Sequence, residues 1–187
     1  IPLVIHEQNS VPGMANAYLA KHATAIALTY PESAEGLDGA CDPVVLGNPV
    51  RASFEACSRH EARKALGMPD DALVLLVMGG SLGAQHVNTA ICAMKDRLLA
   101  IESTGQGDYE RVLGQLALSA DEEGRWHVSS YIDSMNEVLA ASDLVVSRAG
   151  ASSLAEIMTV GVPAVLIPYP HARGDHQAIN AQSCVTA

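Results

Sequence analysis

Short apolar runs alternate with amphipathic stretches along the whole chain. Most of the runs contain no polar position, which is typical of strands buried on both faces of a parallel sheet. Seven strands are predicted on this basis, at Leu3–Ile5, Ala25–Leu28, Val44–Leu46, Leu73–Met78, Trp126–Val128, Leu144–Val146 and Ala164–Ile167. Seven stretches have a helical period: Met14–His22, His60–Leu66, Ala84–Leu99, Tyr109–Leu118, Ser134–Ala141, Ser153–Val160 and Asp175–Cys184. This alternation predicts an α/β fold with a doubly wound parallel sheet, which binds ligands at the carboxyl ends of its strands.

One domain boundary is predicted at the segment Pro31–Pro43, which is rich in turn formers and acids and has no clear period. It separates residues 1–43, too few to fold alone, from a body at residues 44–187. The chain opens on a buried strand and has no initiator Met. We therefore expect it to be a piece of a longer protein.

The composition and charge of the chain argue against several classes of function. The 187 residues carry 11 basic and 21 acidic side chains, a net charge of −10, which argues against a surface that tracks nucleic-acid phosphates. The four cysteines form no C-x-x-C pair, so we expect reduced thiols in a cytosolic protein. No apolar run reaches the roughly 18 residues of a membrane-spanning helix, and the first residues do not form a signal peptide.

The strongest local motif is the glycine-rich loop Gly79–Gly83, between an apolar strand and a helix. Glycines let backbone N–H groups approach a ligand, and a helix N-terminus suits a phosphate or diphosphate. A tight turn with Ser81 as the helix N-cap explains the loop equally well. The loop is not a P-loop, since no G-K-[ST] follows, and it does not match G-x-G-x-x-G.

The same loop fits G-x-S-x-G, the nucleophile elbow of α/β-hydrolases. The chain order Ser81, Asp143, then His171 or His176 suits the triad of that fold. This rival reading gives no role to the second small-residue loop, which precedes the helix predicted at Ser153–Val160.

Four further features carry candidate chemistry. Ser153 and Glu156 have capping-box spacing, while Glu156 alternatively accepts hydrogen bonds from a ribose diol. Gln177 and Asn180 share one helix face that suits neutral hydroxyls, and Arg51 is placed to pair with a diphosphate. His6, Glu7, Gln8 and Asn9 follow a buried strand as a polar cluster. His171, Asp175 and His176 match no standard ligand spacing, so no metal site is predicted.

Taken together, these segments closely resemble one family. In chain order they read HEQNSVPGMAN, VVLGNPVR, GGSLGAQHVN, TGQGDY, YIDSM, ASDLVVSRAGASSLAEI and GVPAVLIPYPHARGDHQAINA. The family is MurG, the bacterial N-acetylglucosaminyltransferases of peptidoglycan synthesis. The likeness spans nearly the whole chain, is most specific across residues 147–181 and is weakest across residues 93–103.

The resemblance implies a GT-B fold of two Rossmann-like domains. Residues 1–43 would then be the end of an N-terminal acceptor domain with its linker, and residues 44–187 an incomplete UDP-GlcNAc-binding domain. It implies inverting transfer of GlcNAc from UDP-GlcNAc to the muramyl 4-hydroxyl of lipid I, giving lipid II for cell-wall biogenesis. The parent enzyme would be cytoplasmic, peripheral on the inner face of the membrane, without nucleic-acid partners, cofactors or a metal in the glycosyl step.

The same likeness implies a role for individual residues. Arg51 and Ser81 would contact the diphosphate beside Gly80 and Gly83, and Ile132 would hold the uracil through its backbone. Ala151 and Ser153 would serve the donor phosphate region, Glu156 the ribose and Gln177 the GlcNAc hydroxyls. His6, Glu7 and Asn9 would lie near the reacting centre.

The general base is expected upstream of Ile1, so the isolated chain should bind UDP-GlcNAc without turning it over. Three alternatives stay open at this point: a UDP-sugar epimerase, a non-catalytic donor-binding subunit, and a hydrolase that uses Ser81.

Overall fold

The computed structural model describes residues 1–39, 41–80, 84–95 and 100–186. Contacts group the chain into two compact units. The first unit contains Ile1–Val50, Ala149–Ala155 and Pro168–Ala187, and the second contains Arg51–Arg148 and Glu156–Ile167.

The first unit is built on a parallel three-stranded sheet in the order β1-β2-β3. Its strands are β1 (Val4–Glu7), β2 (Ala25–Leu28) and β3 (Val44–Val45). Helix α1 (Met14–Leu19), extended by a 3₁₀ turn, connects the first two. The core of this unit consists of Ile5, Ala20, Ala23, Ile26, Leu28 and Leu37. Because burial alternates along β1 and β2, with Ile5, Ile26 and Leu28 at buried positions, one face of the sheet packs on this core.

The second unit contains a parallel five-stranded sheet in the order β6-β5-β4-β7-β8. The strands are β4 (Leu75–Met78), β5 (Ala100–Ser103), β6 (Trp126–Ser129), β7 (Leu144–Ser147) and β8 (Ala164–Leu166). The chain winds outward from β4 to β6 and returns to the other side of β4 with β7. This reversal makes the sheet doubly wound, as predicted, and sets its switch point between β4 and β7.

Helices cover both faces of this sheet. They are α2 (Arg59–Ala65), α3 (Gln85–Cys92), α4 (Tyr109–Leu116), α5 (Ala120–Glu123) and α6 (Met135–Ala141). A buried cluster joins α3 and α4 to the sheet through Val77, Val87, Ile91, Val112, Leu116 and Trp126. Full burial of one such side chain contributes about 1.5–3 kcal/mol, so this cluster makes a large contribution to the stability of the unit. On the other face, Ala62 of α2 packs with Ala140 and Ala141 of α6.

Two helices remain, α7 (Ala151–Val160) and α8 (His176–Thr186). The first five residues of α7 belong to the first unit and the rest to the second, while α8 belongs wholly to the first. In the part of the chain that the structure describes, no helix is long and apolar enough to cross a membrane.

The structure differs from the sequence-based prediction at several points. Helix α3 ends at Cys92, whereas a helix over Ala84–Leu99 was predicted, and helix α7 begins at Ala151 instead of Ser153. Strand β5 was not predicted, because its four residues include Glu102 and give no apolar run. Helix α5 was also missed; a capping box formed by Ser119 and Glu122 starts it. The predicted domain boundary after residue 43 stays a prediction. Contacts group β3 with the first unit, up to Val50, because β3 pairs with β2.

Candidate functional site

The candidate diphosphate loop leaves the carboxyl end of β4, beside the switch point of the second sheet. Gly80 is exposed and has a φ of +80°, a left-handed conformation that a side chain would strain. A Cβ added there would meet nothing within 4 Å, so glycine is needed for the backbone conformation and not for space. The predicted ligands Ser81 and Gly83 lie outside the described residues.

Helix α3 follows this loop. Its first internal hydrogen bond runs from Asn88 N to Ala84 O, at 2.9 Å. The N–H groups of a helix's first turn have no acceptor within the helix, and the helix dipole makes this end positive. The end of α3 that faces the loop therefore suits an anionic ligand.

Ile132, the predicted uracil contact, lies between β6 and α6. It lines a groove of about 500 Å³ together with Trp126, Ser129, Tyr131 and Ser134, among others. The hydroxyl of Ser129 donates to the Tyr131 carbonyl at 2.6 Å, which fixes the chain just before Ile132. This loop leaves the carboxyl end of its strand, where ligands of such sheets bind.

Arg51 and Glu156 are brought near each other in the second unit. Glu156 is half-buried, and burial raises its pKa, while the positive charge of Arg51 offsets part of that rise. Arg51 is exposed, and its guanidinium lies 5.1 Å from the centre of the Phe54 ring. A cation–π contact of this kind restrains a long side chain without using its hydrogen-bond donors.

The capping-box prediction for Ser153 and Glu156 is wrong. Helix α7 begins at Ala151, and Leu154 N donates to Gly150 O at 3.0 Å. Ser153 is therefore the third residue of the helix and not its N-cap. Glu156 is one turn further along, so it is not the acidic partner of a capped helix start and its ribose role stays a prediction.

Ala151 is buried at the start of α7, and its carbonyl accepts a hydrogen bond from Asn48 Nδ2 at 3.3 Å. Asn48 belongs to the motif GNPVR, in which sequence reasoning selected only Arg51. Asn48 is half-buried, and its sequence signal is an asparagine between the glycine and the proline of a turn.

In the first unit, Glu7 organises the loop that follows β1. Its carboxylate accepts hydrogen bonds from Asn9 N at 3.0 Å, Gly13 N at 2.9 Å and Asn16 Nδ2 at 2.9 Å. A longer bond of 3.4 Å comes from Asn9 Nδ2. With both oxygens occupied in this way, Glu7 is equipped to hold the loop in place.

His6 and Gln177 are also engaged in the first unit. Nε2 of His6 lies 3.1 Å from the Gly47 carbonyl, which accepts from the Nε2–H tautomer. Oε1 of Gln177 accepts a hydrogen bond from Tyr169 N at 2.9 Å. Their assigned roles in acceptor and sugar contact remain predictions.

Asn180 is fully buried and joins two loops of the first unit. Its Oδ1 accepts from Ser10 N at 2.8 Å and Ser10 Oγ at 3.0 Å. Its Nδ2 donates to Asn9 Oδ1 at 3.1 Å and Ala149 O at 3.3 Å. These four bonds fill the amide's capacity, so the structure replaces the predicted hydroxyl recognition by Asn180 with a structural role.

The hydrolase reading is excluded by the position of Asp143. Its carboxylate accepts from Arg63 Nη2 and from Val74 N, both at 2.8 Å, and also pairs with Arg59. Val74 directly precedes β4, so Asp143 lies at the amino end of the sheet, whereas Ser81 follows the carboxyl end of the same strand. Asp143 anchors this end with Arg63, which is fully buried.

Within residues 1–39, 41–80, 84–95 and 100–186, no three His, Cys, Asp or Glu side chains are grouped so that they could hold a metal ion.

Comparison with known proteins decides the family. The family model described as the glycosyltransferase family 28 C-terminal domain matches residues 74–187. The chain belongs to this family. Its match includes the loop after β4, Ile132 and Glu156.

The relatives of the chain are named UDP-N-acetylglucosamine–N-acetylmuramyl-(pentapeptide) pyrophosphoryl-undecaprenol N-acetylglucosamine transferase. That of Salinibacter ruber is 43% identical over 97% of this chain and 50% of its own length. That of Moorella thermoacetica is 36% identical over 98% of this chain and 52% of its own length. The chain thus spans about half the length of the curated relatives it matches.

Solved structures agree with the fold. The crystal structure of Acinetobacter baumannii MurG matches with a TM-score of 0.73 and 30% identity, over 100% of this chain and 51% of that one. Anabaena HepE, solved with UDP and glucose, matches with a TM-score of 0.58 at 16% identity and shows the fold alone.

Proposed function

We propose that this chain is the donor-binding part of an inverting N-acetylglucosaminyltransferase. The whole protein transfers GlcNAc from UDP-GlcNAc to the muramyl 4-hydroxyl of lipid I and forms lipid II. The observation that carries the proposal is the likeness over 97–98% of this chain to relatives named for that transfer, at 36% and 43% identity.

The second unit supplies the donor contacts in this proposal. Gly80 and the N-terminus of α3 receive the diphosphate, and the Arg51 guanidinium neutralises charge on it as the leaving group departs. The backbone at Ile132 holds the uracil, and the Glu156 carboxylate accepts hydrogen bonds from the ribose hydroxyls. Gly80 follows β4 and Ile132 follows β6, two parallel strands of the doubly wound sheet that flank β5. Both therefore lie at the carboxyl edge of this sheet, which supports the assignment.

The reaction is a displacement at the anomeric carbon. The acceptor oxygen forms a bond to C1 as the bond from C1 to the diphosphate oxygen breaks, so the configuration inverts to a β-1,4 link. UDP leaves with the electron pair, and the hydroxyl proton passes to a base. In the first unit, Gln177 and the cluster of His6, Glu7 and Asn9 are assigned to the sugar and the reacting centre by family position.

We propose that the glycosyl step needs no metal ion, because Arg51 and the positive end of α3 stabilise the departing diphosphate. Transfer by the full-length enzyme should then persist in excess EDTA. Loss of transfer that Mg²⁺ restores would overturn this point.

We further propose that the whole enzyme works at the inner face of the cytoplasmic membrane, since its acceptor is linked to undecaprenyl diphosphate. Co-sedimentation of the full-length protein with vesicles that carry lipid I tests this; absence from the vesicle fraction would contradict it.

Replacement of Glu156 tests the donor site. Glu156→Ala should weaken UDP binding by about tenfold or more, because hydrogen bonds to a charged acceptor contribute about 1.5–3 kcal/mol. The melting temperature should change little, since Glu156 caps no helix. Isothermal titration with UDP and thermal unfolding measure the two effects.

The matched control is Glu55→Ala, which removes an exposed carboxylate from the same unit. It should leave both quantities unchanged. If Glu156→Ala lowers the melting temperature and leaves UDP affinity intact, Glu156 is a structural residue and its ribose role is wrong.

A further inference from the structure

A buried polar cluster lies where α3 meets the start of α4, and the donor contacts above make no use of it. Its members are Asn88 of α3 with Asp108 and Arg111 of the TGQGDY segment and α4. Asn88 is fully buried, and its Nδ2 donates to Thr104 O at 3.1 Å and to Asp108 Oδ2 at 2.6 Å. We call these three residues the α3 clamp.

Asp108 is the centre of the clamp. It occupies the N-cap position of α4, yet its side chain makes no capping hydrogen bond. The carboxylate instead accepts Arg111 Nε at 2.5 Å and Nη2 at 2.6 Å. These bonds lower the pKa of Asp108, so the clamp carries a charged, bidentate pair at neutral pH.

Arg111 extends the clamp back to α3. Its Nη1 donates to Thr89 Oγ1 at 3.2 Å, and its Nη2 reaches the Gln85 carbonyl at 3.5 Å. Gln85, Asn88 and Thr89 are the first, fourth and fifth residues of the helix. The contacts that Asp108 and Arg111 make with α3 therefore fall within the first five residues of this helix, in the half that follows the glycine-rich loop.

Apolar packing alone does not explain this arrangement. Val87 and Ile91 pack α3 against the sheet. This packing sets the distance between the helix and the sheet, but the helix could still slide along its own axis. The hydrogen bond from Asn88 to the Thr104 carbonyl does fix the helix along its axis. Thr104 is itself held by the sheet, because its N–H donates to Ser129 O and so extends the β5–β6 ladder. Burying an amide and a carboxylate is unfavourable unless they are paired. Here Nδ2 of Asn88 pairs with the Asp108 carboxylate, while Oδ1 of Asn88 has no hydrogen-bond partner within the described part of the chain.

We propose that Asp108, through Asn88 and Arg111, is a positioning residue for the donor diphosphate. It holds the first turn of α3 where the helix N-terminus receives the phosphates, and it contacts no substrate itself. This inference rests on the proposed function, because it needs UDP to bind at that end of the helix.

The affinities of the 187-residue chain for UDP and for uridine distinguish positioning of the diphosphate from general stabilisation of the fold. Uridine lacks the diphosphate and depends on the loop at Ile132. Asp108→Asn should weaken UDP binding by about tenfold, the effect of one charged hydrogen bond, and change uridine binding less than twofold. Isothermal titration measures UDP, and ligand-observed NMR measures uridine.

The matched control is Glu110→Gln, the same charge change on an exposed residue of α4. Its ratio of UDP to uridine affinity should equal that of the unaltered chain. Arg111→Lys keeps the charge but loses the bidentate pair, so it should lower the ratio even if Asp108→Asn fails to fold.

The outcomes are distinct. A ratio that falls with Asp108→Asn or Arg111→Lys and not with Glu110→Gln supports the clamp. If the unaltered chain binds UDP but these variants keep its ratio, or lose both ligands equally, the clamp has no positioning role. If the unaltered chain binds no UDP, the proposed function itself fails.

Discussion

Two glutamates are buried in parallel strands, Glu7 in the first unit and Glu102 in the second, and their surroundings are opposite. Their exposed fractions are 2% and 0%. The oxygens of Glu7 accept hydrogen bonds from Asn9, Gly13 and Asn16. Those of Glu102 have no hydrogen-bond partner among the residues that the structure describes.

The two pKa values shift in opposite directions. Burial acts to raise the pKa of Glu7, but the bonds from Asn9, Asn16 and Gly13 outweigh it and leave the pKa lowered. Burial raises the pKa of Glu102 to about 7; the nearby Asp108 adds to the rise and Arg111 offsets part of it. Similar burial thus gives a charged carboxylate in one unit and, in the other, a carboxyl that is neutral at mildly acidic pH and only about half ionised near pH 7.

Position in the strand explains the difference. Glu7 is the last residue of β1, and the loop after it turns its unpaired backbone N–H groups toward the carboxylate. Glu102 lies inside β5, between Val77 and Val128 of the flanking strands. There the neighbouring N–H groups are used by the sheet ladder, so none is available to a side chain. The charge state of a buried carboxyl group can therefore be inferred only when its hydrogen-bond donors are known.

Removal of the Glu7 carboxylate should have the largest effect. Glu7→Ala leaves several buried donors without an acceptor, and we expect it to lower the free energy of unfolding by about 3 kcal/mol. Urea denaturation measures this. Gln8→Ala, an exposed neighbour, should stay within about 0.5 kcal/mol of the unaltered chain. Equal losses in the two variants would show that the Glu7 network stabilises nothing.

Replacement of Glu102 should change the free energy of unfolding by a smaller amount and in the opposite direction. Glu102→Gln removes a group that ionises at a cost inside the fold, so the variant should be more stable than the unaltered chain at pH 8, by about 2 kcal/mol. At pH 4 the difference should nearly vanish. Denaturation curves at the two pH values provide the test.

The sign follows from proton uptake. Unfolded Glu102 ionises near 4.5 and folded Glu102 near 7, so the folded state binds more protons between these values. Its contribution to stability is full below 4.5, falls as the pH rises, and is lost above about 7. For Glu7, with its lowered pKa, stability is present above 4.5 and lost as the pH falls. A Glu102→Gln variant with an unchanged pH profile would contradict the assignment.

The smallest effect is expected when one hydrogen-bond donor to Glu7 is removed and the carboxylate itself is kept. Asn16→Ala removes one hydrogen bond to Glu7 and one to the His6 carbonyl, for an expected loss of about 1–2 kcal/mol in the free energy of unfolding. It should also move acid unfolding to higher pH, because the Glu7 pKa rises toward its ordinary value. Asn136→Ala, an asparagine of α6 in the other unit, is the control for the side-chain truncation. If both variants unfold at the same pH, Asn16 does not set the Glu7 pKa.

The sequence pattern predicted most of the fold and the loops of the candidate site for physical reasons. Continuous apolar runs identify strands buried on both faces, and Gly80 identifies a turn that needs a positive φ. The pattern failed where tertiary contacts decide. Strand β5 carries an acid that only its neighbours bury. The sequence pattern predicted no role for Asp108, whose carboxylate accepts hydrogen bonds from Arg111 of its own helix and from Asn88 of α3.

The same limit applies to helix α7. The spacing of Ser153 and Glu156 satisfies a capping box, yet the helix begins two residues earlier, at Ala151. The spacing of the residues shows only that a helix could start at Ser153. The actual start also depends on tertiary contacts, such as the hydrogen bonds to the Ala149 and Ala151 carbonyls.

Amide NMR of the chain titrated with UDP-GlcNAc tests the central claim, donor binding at the carboxyl ends of the second sheet, most directly. We predict saturable shifts at Gly80, Ile132 and Glu156, and none at Asp143 or Arg59 at the amino end of the same sheet. Absence of saturable shifts, or shifts confined to the amino end, would contradict the account.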